Sequence, residues 1–263
     1  MKLEIAALSD IGNVRGNNED NLYHNGRVRE DVTQPDYVYK AVQKIKEDSA
    51  YAVFDGMGGL AHGEEASLAA GIRLREILAE EKVTDYEALI QALNQAVCKK
   101  KESYHTQIGT TAAILFLSDR EAVSVNVGDS RIYFFRDGEL KQLSKDHTER
   151  NSALEMQAEF GGEYKIDLDR IKDALTQHLG IDEEEFILEP EVKKMEGLRE
   201  GDVFLLCSDG LWNLVIDLEI KEDLKKDADL LETAERLRDR ALRAGGNDNI
   251  TIILLRVMDV EGM

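Results

Sequence analysis

Residues 110–143 read TTAAILFLSDREAVSVNVGDSRIYFFRDGELKQL. Thr110 to Leu117, Ala122 to Val127 and Arg131 to Arg136 are rich in β-branched and aromatic residues, the composition of strands. Asp137-Gly138 separates the last of them from Glu139 to Leu143 and reads as a hairpin turn. Strands joined by connections this short pair antiparallel, because a parallel pair needs a crossover of a dozen residues or more. Working outward, Leu3 to Leu8, Ala50 to Phe54, Phe186 to Val192, Val203 to Cys207 and Ile250 to Val257 add further strands. Two amphipathic helical stretches, Glu64 to Glu81 and Asp85 to Tyr104, stand together before the strand run. Leu230, Ala234, Leu237 and Ala241 fall at helical spacing and lead into Gly245-Gly246, a C-terminal stop. Lys145 to Gly180, acidic and mixed in composition, is expected to be a surface flap. Grouped helices form cover layers, so the pattern favours an α+β layered sandwich over alternating βαβ units.

Bulk properties narrow the function. The 263 residues, 43% hydrophobic, can bury a substantial core, and two prolines with no low-complexity linker argue for one domain over 1–263. Lys+Arg 33 against Asp+Glu 53 gives a net charge of −20, which repels nucleic acid and anionic membrane and attracts divalent cations. No eighteen apolar residues run together, and Met1 to Asp10 lacks a signal peptide's basic start, so a cytoplasmic location is expected. Cys98 and Cys207 are too far apart to suggest a disulfide framework or a short-spaced zinc pair, and Cys207 lies in an apolar strand. Position 104 is Tyr and position 213 is Asn, so neither cysteine has the arginine six residues later that a thiol phosphatase loop would carry.

Four places combine an acid with turn-forming neighbours: Asn17 to Asn21, Asp55 to Gly59, Ser208-Asp209-Gly210 and Asn247-Asp248-Asn249. Each taken alone fits an ordinary turn, as Asp137-Gly138 does. Asp55 and Asp209, however, each close a strongly apolar strand, which leaves the carboxylate on a rigid sheet end suited to a pre-organised site. Converging carboxylates repel one another, and a hard divalent cation bound through oxygen relieves them. Magnesium or manganese fits these residue types; zinc and an EF-hand calcium loop lack their ligand patterns. The Gly56 carbonyl is free to face such a cation. Gly56, Gly58 and Ala61 also match the dinucleotide pattern G-x-G-x-x-G/A, but a second helix rather than a parallel strand follows Glu64 to Glu81, and Asp55 would oppose a pyrophosphate.

Together these segments resemble the protein phosphatase 2C family, metal-dependent protein Ser/Thr phosphatases, particularly its compact bacterial members. The resemblance is ordered and nearly full length. It runs through Ser9 to Gly12, Val14 to Asp20, Val53 to Gly59, Gly63 to Ser67, Gly109 to Thr111, Val127 to Tyr133, Asp146 to Thr148, Leu206 to Leu211 and Asp248 to Thr251. It implies a four-layer αββα sandwich, two central antiparallel sheets flanked by helices. It implies two Mn2+ or Mg2+ ions bridged by Asp55, with Glu19 and the Gly56 carbonyl on one and Asp209 and Asp248 on the other. By the same resemblance Asp20 orients the attacking water, Asp129 helps hold a third, weaker ion, and Arg15 binds phosphate, for which a guanidinium fork is chemically suited. Water activated at the two ions would then hydrolyse phosphoserine and phosphothreonine in proteins, opposing a Ser/Thr kinase, in a monomer.

The sequence departs from the family at several points. Some members carry histidine where this chain has Met57, which leaves water at the metal centre as the expected proton donor to the leaving group. His62 reads as a local hydrogen-bonding residue, His147 as structural and Trp212 as a packing residue. His24 to Ser49 is longer than a strand connection needs, and Asp173 stands where bacterial members commonly show asparagine. Two other functions compete: a phosphatase of a small phosphorylated metabolite, whose metal site would look the same, and a phosphoprotein-binding pseudophosphatase, which would lack metal ligands.

Overall fold

The structure, a computed structural model, describes residues 1–45, 49–58, 62–80, 82–119, 121–159, 171, 174–182, 184, 186–226 and 229–259. Gly59, Ala61, Asp173 and much of the expected flap lie outside the described residues. In chain order the strands are β1 (Lys2–Asp10), β2 (Asn21–His24), β3 (Arg27–Val28), β4 (Tyr37–Lys44), β5 (Ser49–Phe54), β6 (Gly56–Gly58) and β7 (Ile108–Thr110). They continue with β8 (Ala112–Leu117), β9 (Glu121–Val127), β10 (Arg131–Arg136), β11 (Glu139–Gln142), β12 (Glu191–Glu196), β13 (Val203–Cys207) and β14 (Ile250–Asp259). The helices are α1 (Gly63–Glu80), α2 (Tyr86–Tyr104), α3 (Glu149–Glu159), α4 (Asp209–Trp212), α5 (Asp217–Leu224) and α6 (Leu230–Arg243).

Two six-stranded antiparallel sheets stack face to face, in the orders β11-β10-β13-β14-β1-β4 and β12-β9-β8-β5-β2-β3. Leu3, Ile5, Val53, Leu115, Phe204 and Ile253 fill the space between them. The alternate residues of the same strands point outward under helices: Ala52 and Ile114 meet α1 and α2, while Leu8, Leu205 and Leu254 meet α4, α5 and α6. A central strand buried on both faces reads as an unbroken apolar run rather than as alternation, which is why these strands were plain in the sequence. Asp85 caps α2 by accepting the Ala88 N–H at 2.9 Å. The expected αββα layering is what the chain adopts.

Two expected strands are corrected. Thr110 to Leu117 is not one strand: it breaks at Thr111, and Ile108–Thr110 pairs instead with Gly56–Gly58 in a small two-stranded sheet. The strand expected at Phe186 to Val192 runs from Glu191 to Glu196, because Pro190 has no N–H to give a ladder. The length of His24 to Ser49 is explained by β3 and β4, since β4 crosses to edge the opposite sheet with Tyr37, Tyr39, Ala41 and Gln43 facing inward. Within Lys145 to Gly180, expected to be a surface flap, residues Glu149–Glu159 form α3.

His24 ties the two sheets. Its Nε2 lies 2.5 Å from the Tyr37 hydroxyl and its ring stacks on Tyr39 with centroids 4.1 Å apart, so a β2 side chain is locked against β4 of the other sheet. Burial, helped by Arg27, lowers the imidazole to about 4. The folded state therefore favours the neutral ring, while the unfolded chain takes up a proton near 6.5. Stability present above pH 6.5 is lost as pH falls toward 4. His24→Gln is expected to flatten the pH dependence of the urea-unfolding free energy between pH 6.5 and 4.5 by on the order of 2 kcal/mol. Parallel profiles for wild type and variant would contradict this role.

Candidate active site

The ends of β5 and β13 and the loops before β2 and β14 meet at one edge of the sandwich, around a cleft of about 550 Å³. Asp55 follows β5 directly, and its peptide is clamped on both sides. Its N–H donates to Thr111 Oγ at 3.0 Å, and its carbonyl accepts from the Thr111 N–H and the Thr110 hydroxyl, each at 2.9 Å. This clamp is the physical reason for the break at Thr111. Next to it, Gly56 has no room for a side chain: a Cβ would lie 2.3 Å from the Gly63 carbonyl oxygen and 2.4 Å from that of Glu19.

Asp209 opens α4 at the end of β13, and Asn213 Nδ2 donates to its carboxylate at 3.1 Å. The preceding Ser208 donates its hydroxyl to Asp20 Oδ2 at 2.7 Å. Asp20 is buried behind the cleft, whereas Glu19, Asp55, Gly56, Asp129, Asp209 and Asp248 line it. Arg15 Nη2 donates to Asp248 Oδ2 at 2.5 Å. At Asp129, the Trp212 indole N–H donates to the backbone carbonyl at 3.0 Å, and the Arg131 guanidinium lies 3.6 Å over the indole ring. Trp212 thus packs, as expected. His147 is buried and its Nδ1 accepts the Gly128 N–H at 3.1 Å, a structural role. His62 stacks on Tyr104 instead of reaching into the cleft, with centroids 4.4 Å apart.

Two positioning residues were not singled out from the sequence. The Asn249 side chain accepts the Glu19 N–H at 2.8 Å and donates to the carbonyls of Ile11 and Asn17 at 2.9 Å each, tying the loop after β1 to the loop before β14. Arg29, almost wholly buried, donates to the carbonyls of Asn18 at 2.8 Å, Asp20 at 2.5 Å and Gln34 at 2.7 Å. Its place in an apparent connecting segment gave no signal of this; only Asn249's position beside Asp248 was suggestive.

The acids are held at an electrostatic disadvantage. Burial, then Asp20, Asp209, Asp129 and Asp248, raises Asp55 well above the carboxylate range. Burial is also the leading cause that takes Asp20 and Asp129 to about 7 and Asp209 to about 6, and it raises Glu19 as well. Among the described residues no three acid, histidine or cysteine side chains already close into a cage. The Arg15 guanidinium engages Asp248 where a cation would otherwise be the countercharge. Oxygen donors alone, in excess negative charge, suit Mn2+ or Mg2+.

Comparison with known proteins agrees with this geometry. A family model described as Protein phosphatase 2C matches residues 21–251. The chain is 35% identical over 268 residues to serine/threonine protein phosphatase PstP of Mycobacterium tuberculosis, with 98% of the chain aligned, and it spans 46% of that protein's length. It is 31% identical to protein phosphatase PhpP of Streptococcus pneumoniae, covering 98% of this chain and 99% of PhpP. Crystal structures superpose over nearly the whole chain. The M. tuberculosis PstP structure gives a TM-score of 0.76 at 30% identity, covering 98% of this chain and 100% of that one. The PstP catalytic domain in complex with two manganese ions gives 0.75 at 31% identity with the same coverage. With the acid cleft at the sheet ends, the αββα layering and these matches in hand, the chain belongs to the protein phosphatase 2C family.

Proposed function

We propose that this chain removes phosphate from serine and threonine side chains of proteins, working against a Ser/Thr kinase as a cytoplasmic monomer. Residues 1–263 are then one catalytic domain with 145–180 as a flap beside its cleft. The observation that carries the proposal is the meeting of Glu19, Asp55, Asp209 and Asp248 in one cleft where Arg15 is the only Lys or Arg side chain among the described lining residues. A complete set of acids argues for a working enzyme over a binding-only relative. PhpP, matched along nearly all its length and named a protein phosphatase, favours phosphoproteins over small metabolites as substrates.

Two bound Mn2+ or Mg2+ ions would supply charge to polarise phosphoryl oxygens and to make water nucleophilic at neutral pH. The remaining work falls to the chain. Asp55 with Glu19 and the Gly56 carbonyl, and Asp209 with Asp248, would hold the ions, and Asp129 would serve a third. Asp20, fixed by Ser208, orients the attacking water. Arg15 offers its fork to the phosphate. The Arg15 guanidinium engages Asp248 when the chain is alone, so Arg15 would have to leave Asp248 both to bind phosphate and to let Asp248 serve as a ligand, which would couple the two binding events.

Phosphate release from a phosphothreonine peptide with Mn2+ is expected to disappear in chelator and to fall about 100-fold or more in Asp209→Asn. Undiminished turnover in either case would overturn the two-ion assignment. Stability offers a second check without turnover. In cation-free protein Asp20, Asp129 and Asp209 retain protons up to about pH 6 to 7 that the unfolded chain releases near 3.8, so the melting temperature should rise as pH falls from 8 to 6. At pH 8, Mn2+ at about a hundredfold excess over Kd should raise Tm by on the order of 5 °C in wild type and by less in Asp209→Asn. A Tm that drops over that pH window and ignores Mn2+ would contradict the reading.

A further inference from the structure

The hydrolysis needs a proton for the departing serine or threonine oxygen, and Met57 leaves the position where some relatives carry histidine without one. The cleft nevertheless contains a histidine, delivered by a different segment. His178 lies where the chain returns from the flap region, and it lines the same cleft as Asp55, Asp209 and Asp248. Its backbone is fixed tightly. Leu179 and Thr110 exchange two hydrogen bonds, at 2.8 and 3.1 Å, and Thr110 is the residue whose hydroxyl holds the Asp55 carbonyl. The Gly180 N–H donates to Asn94 Oδ1 at 2.7 Å, and Asn94 Nδ2 donates to the Ile181 carbonyl at 2.9 Å, so α2 grips the residues that follow.

The ring itself rests on Gly109, where a Cβ would come within 2.6 Å of Nδ1; Gly109 in turn is the strand partner of Met57. His178 thus stands across the β6–β7 pair from the position of the missing histidine. Nδ1 is 2.9 Å from the Leu179 carbonyl, which can only accept, so Nδ1 carries a proton. Nε2 has no bond to any described residue. Among the described lining residues the other titratable side chains are carboxylates, which bound cations would keep ionised, and the Arg15 guanidinium, which does not release its proton. His178 is the lining side chain suited to exchange a proton near neutral pH.

We propose that His178 is the general acid of this enzyme. The inference rests on the phosphatase reading above. As the bond between phosphorus and the seryl or threonyl oxygen breaks, Nε2–H of the imidazolium gives its proton to that oxygen. The ring is left neutral with Nδ1–H still on the Leu179 carbonyl, and the proton shed by the attacking water restores the imidazolium. Burial holds this histidine below its usual range, the Leu179 bond pulls it upward and Lys101 on α2 lowers it further. A phosphate dianion entering the cleft adds charge that favours the protonated ring.

The test compares a leaving group that needs a proton with one that does not. His178→Gln, checked for wild-type melting and Mn2+ response, should lose about 100-fold in kcat on a phosphothreonine peptide and at least tenfold less on p-nitrophenyl phosphate. Across substituted phenyl phosphates the variant should depend more steeply on leaving-group pKa. Added imidazole should restore peptide turnover in His178→Ala. Equal losses on both substrates, no loss on either, or an unchanged leaving-group slope would overturn the assignment. Wild-type protein inactive on both substrates would instead overturn the phosphatase reading on which it rests.

Discussion

Negative charge gathered in a small, partly dry space is the constraint on which the rest of this molecule depends. Asp20, Asp55, Asp129, Asp209 and Glu19 all have their ionised forms disfavoured, with burial the first cause in each case. The fold does little to cancel that charge. Arg15 faces the cleft, and the buried Arg29 spends its donors on backbone carbonyls rather than on carboxylates. What holds the acids in place is neutral. Thr110 and Thr111 clamp the Asp55 peptide, Asn249 ties the Glu19 loop, and the Ser208 hydroxyl fixes Asp20. Amides and hydroxyls can set position without supplying a countercharge, so the attraction for divalent cations survives the act of building the site.

That arrangement needs rigid supports, which the two sheets provide. Strands β5 and β13 are buried on both faces, one toward the opposing sheet and one toward helices, and Asp55 and Asp209 are the residues immediately beyond them or beginning the next helix. Pairing of β1 with β14 along most of their length brings the loops after one and before the other to the same edge, where Asn249 reaches Ile11, Asn17 and Glu19. Sequence positions more than 200 residues apart thereby share one small volume.

What could be read from the sequence follows the same physics. Strands buried on both faces announce themselves as apolar runs, so β1, β5, β10, β13 and β14 were found nearly at their true bounds. Edge strands keep one face in water and mix lysine and glutamate with their apolar residues. For that reason β4 was absorbed into a long connection and β12 was placed too early, against Pro190. The acids were legible because Asp followed by Gly at the end of an apolar strand is an unusual place for charge. Arg29 and His178 were not, since each acts through backbone carbonyls or neighbours that only the tertiary fold assembles. Thr111 was read as strand because its propensity says so, while its hydrogen bonds to Asp55 and Ser130 make it a break.

The glycines at the cleft carry the remaining information, because they mark where other groups must come close. A Cβ at Gly210 would lie 2.0 Å from the Asn249 carbonyl, and one at Gly56 would strike the carbonyls of Gly63 and Glu19. Each glycine therefore lets one acid-bearing loop touch the next: Asp209's turn meets the Asp248 loop, and Asp55's turn meets the Glu19 loop and the start of α1. Gly109 does the same for His178. These contacts are backbone against backbone or ring against backbone, with no flexible side chain between to take up slack. A displacement of one loop would have to be passed to its neighbours, so the acids can be held close together despite their mutual repulsion only as a set.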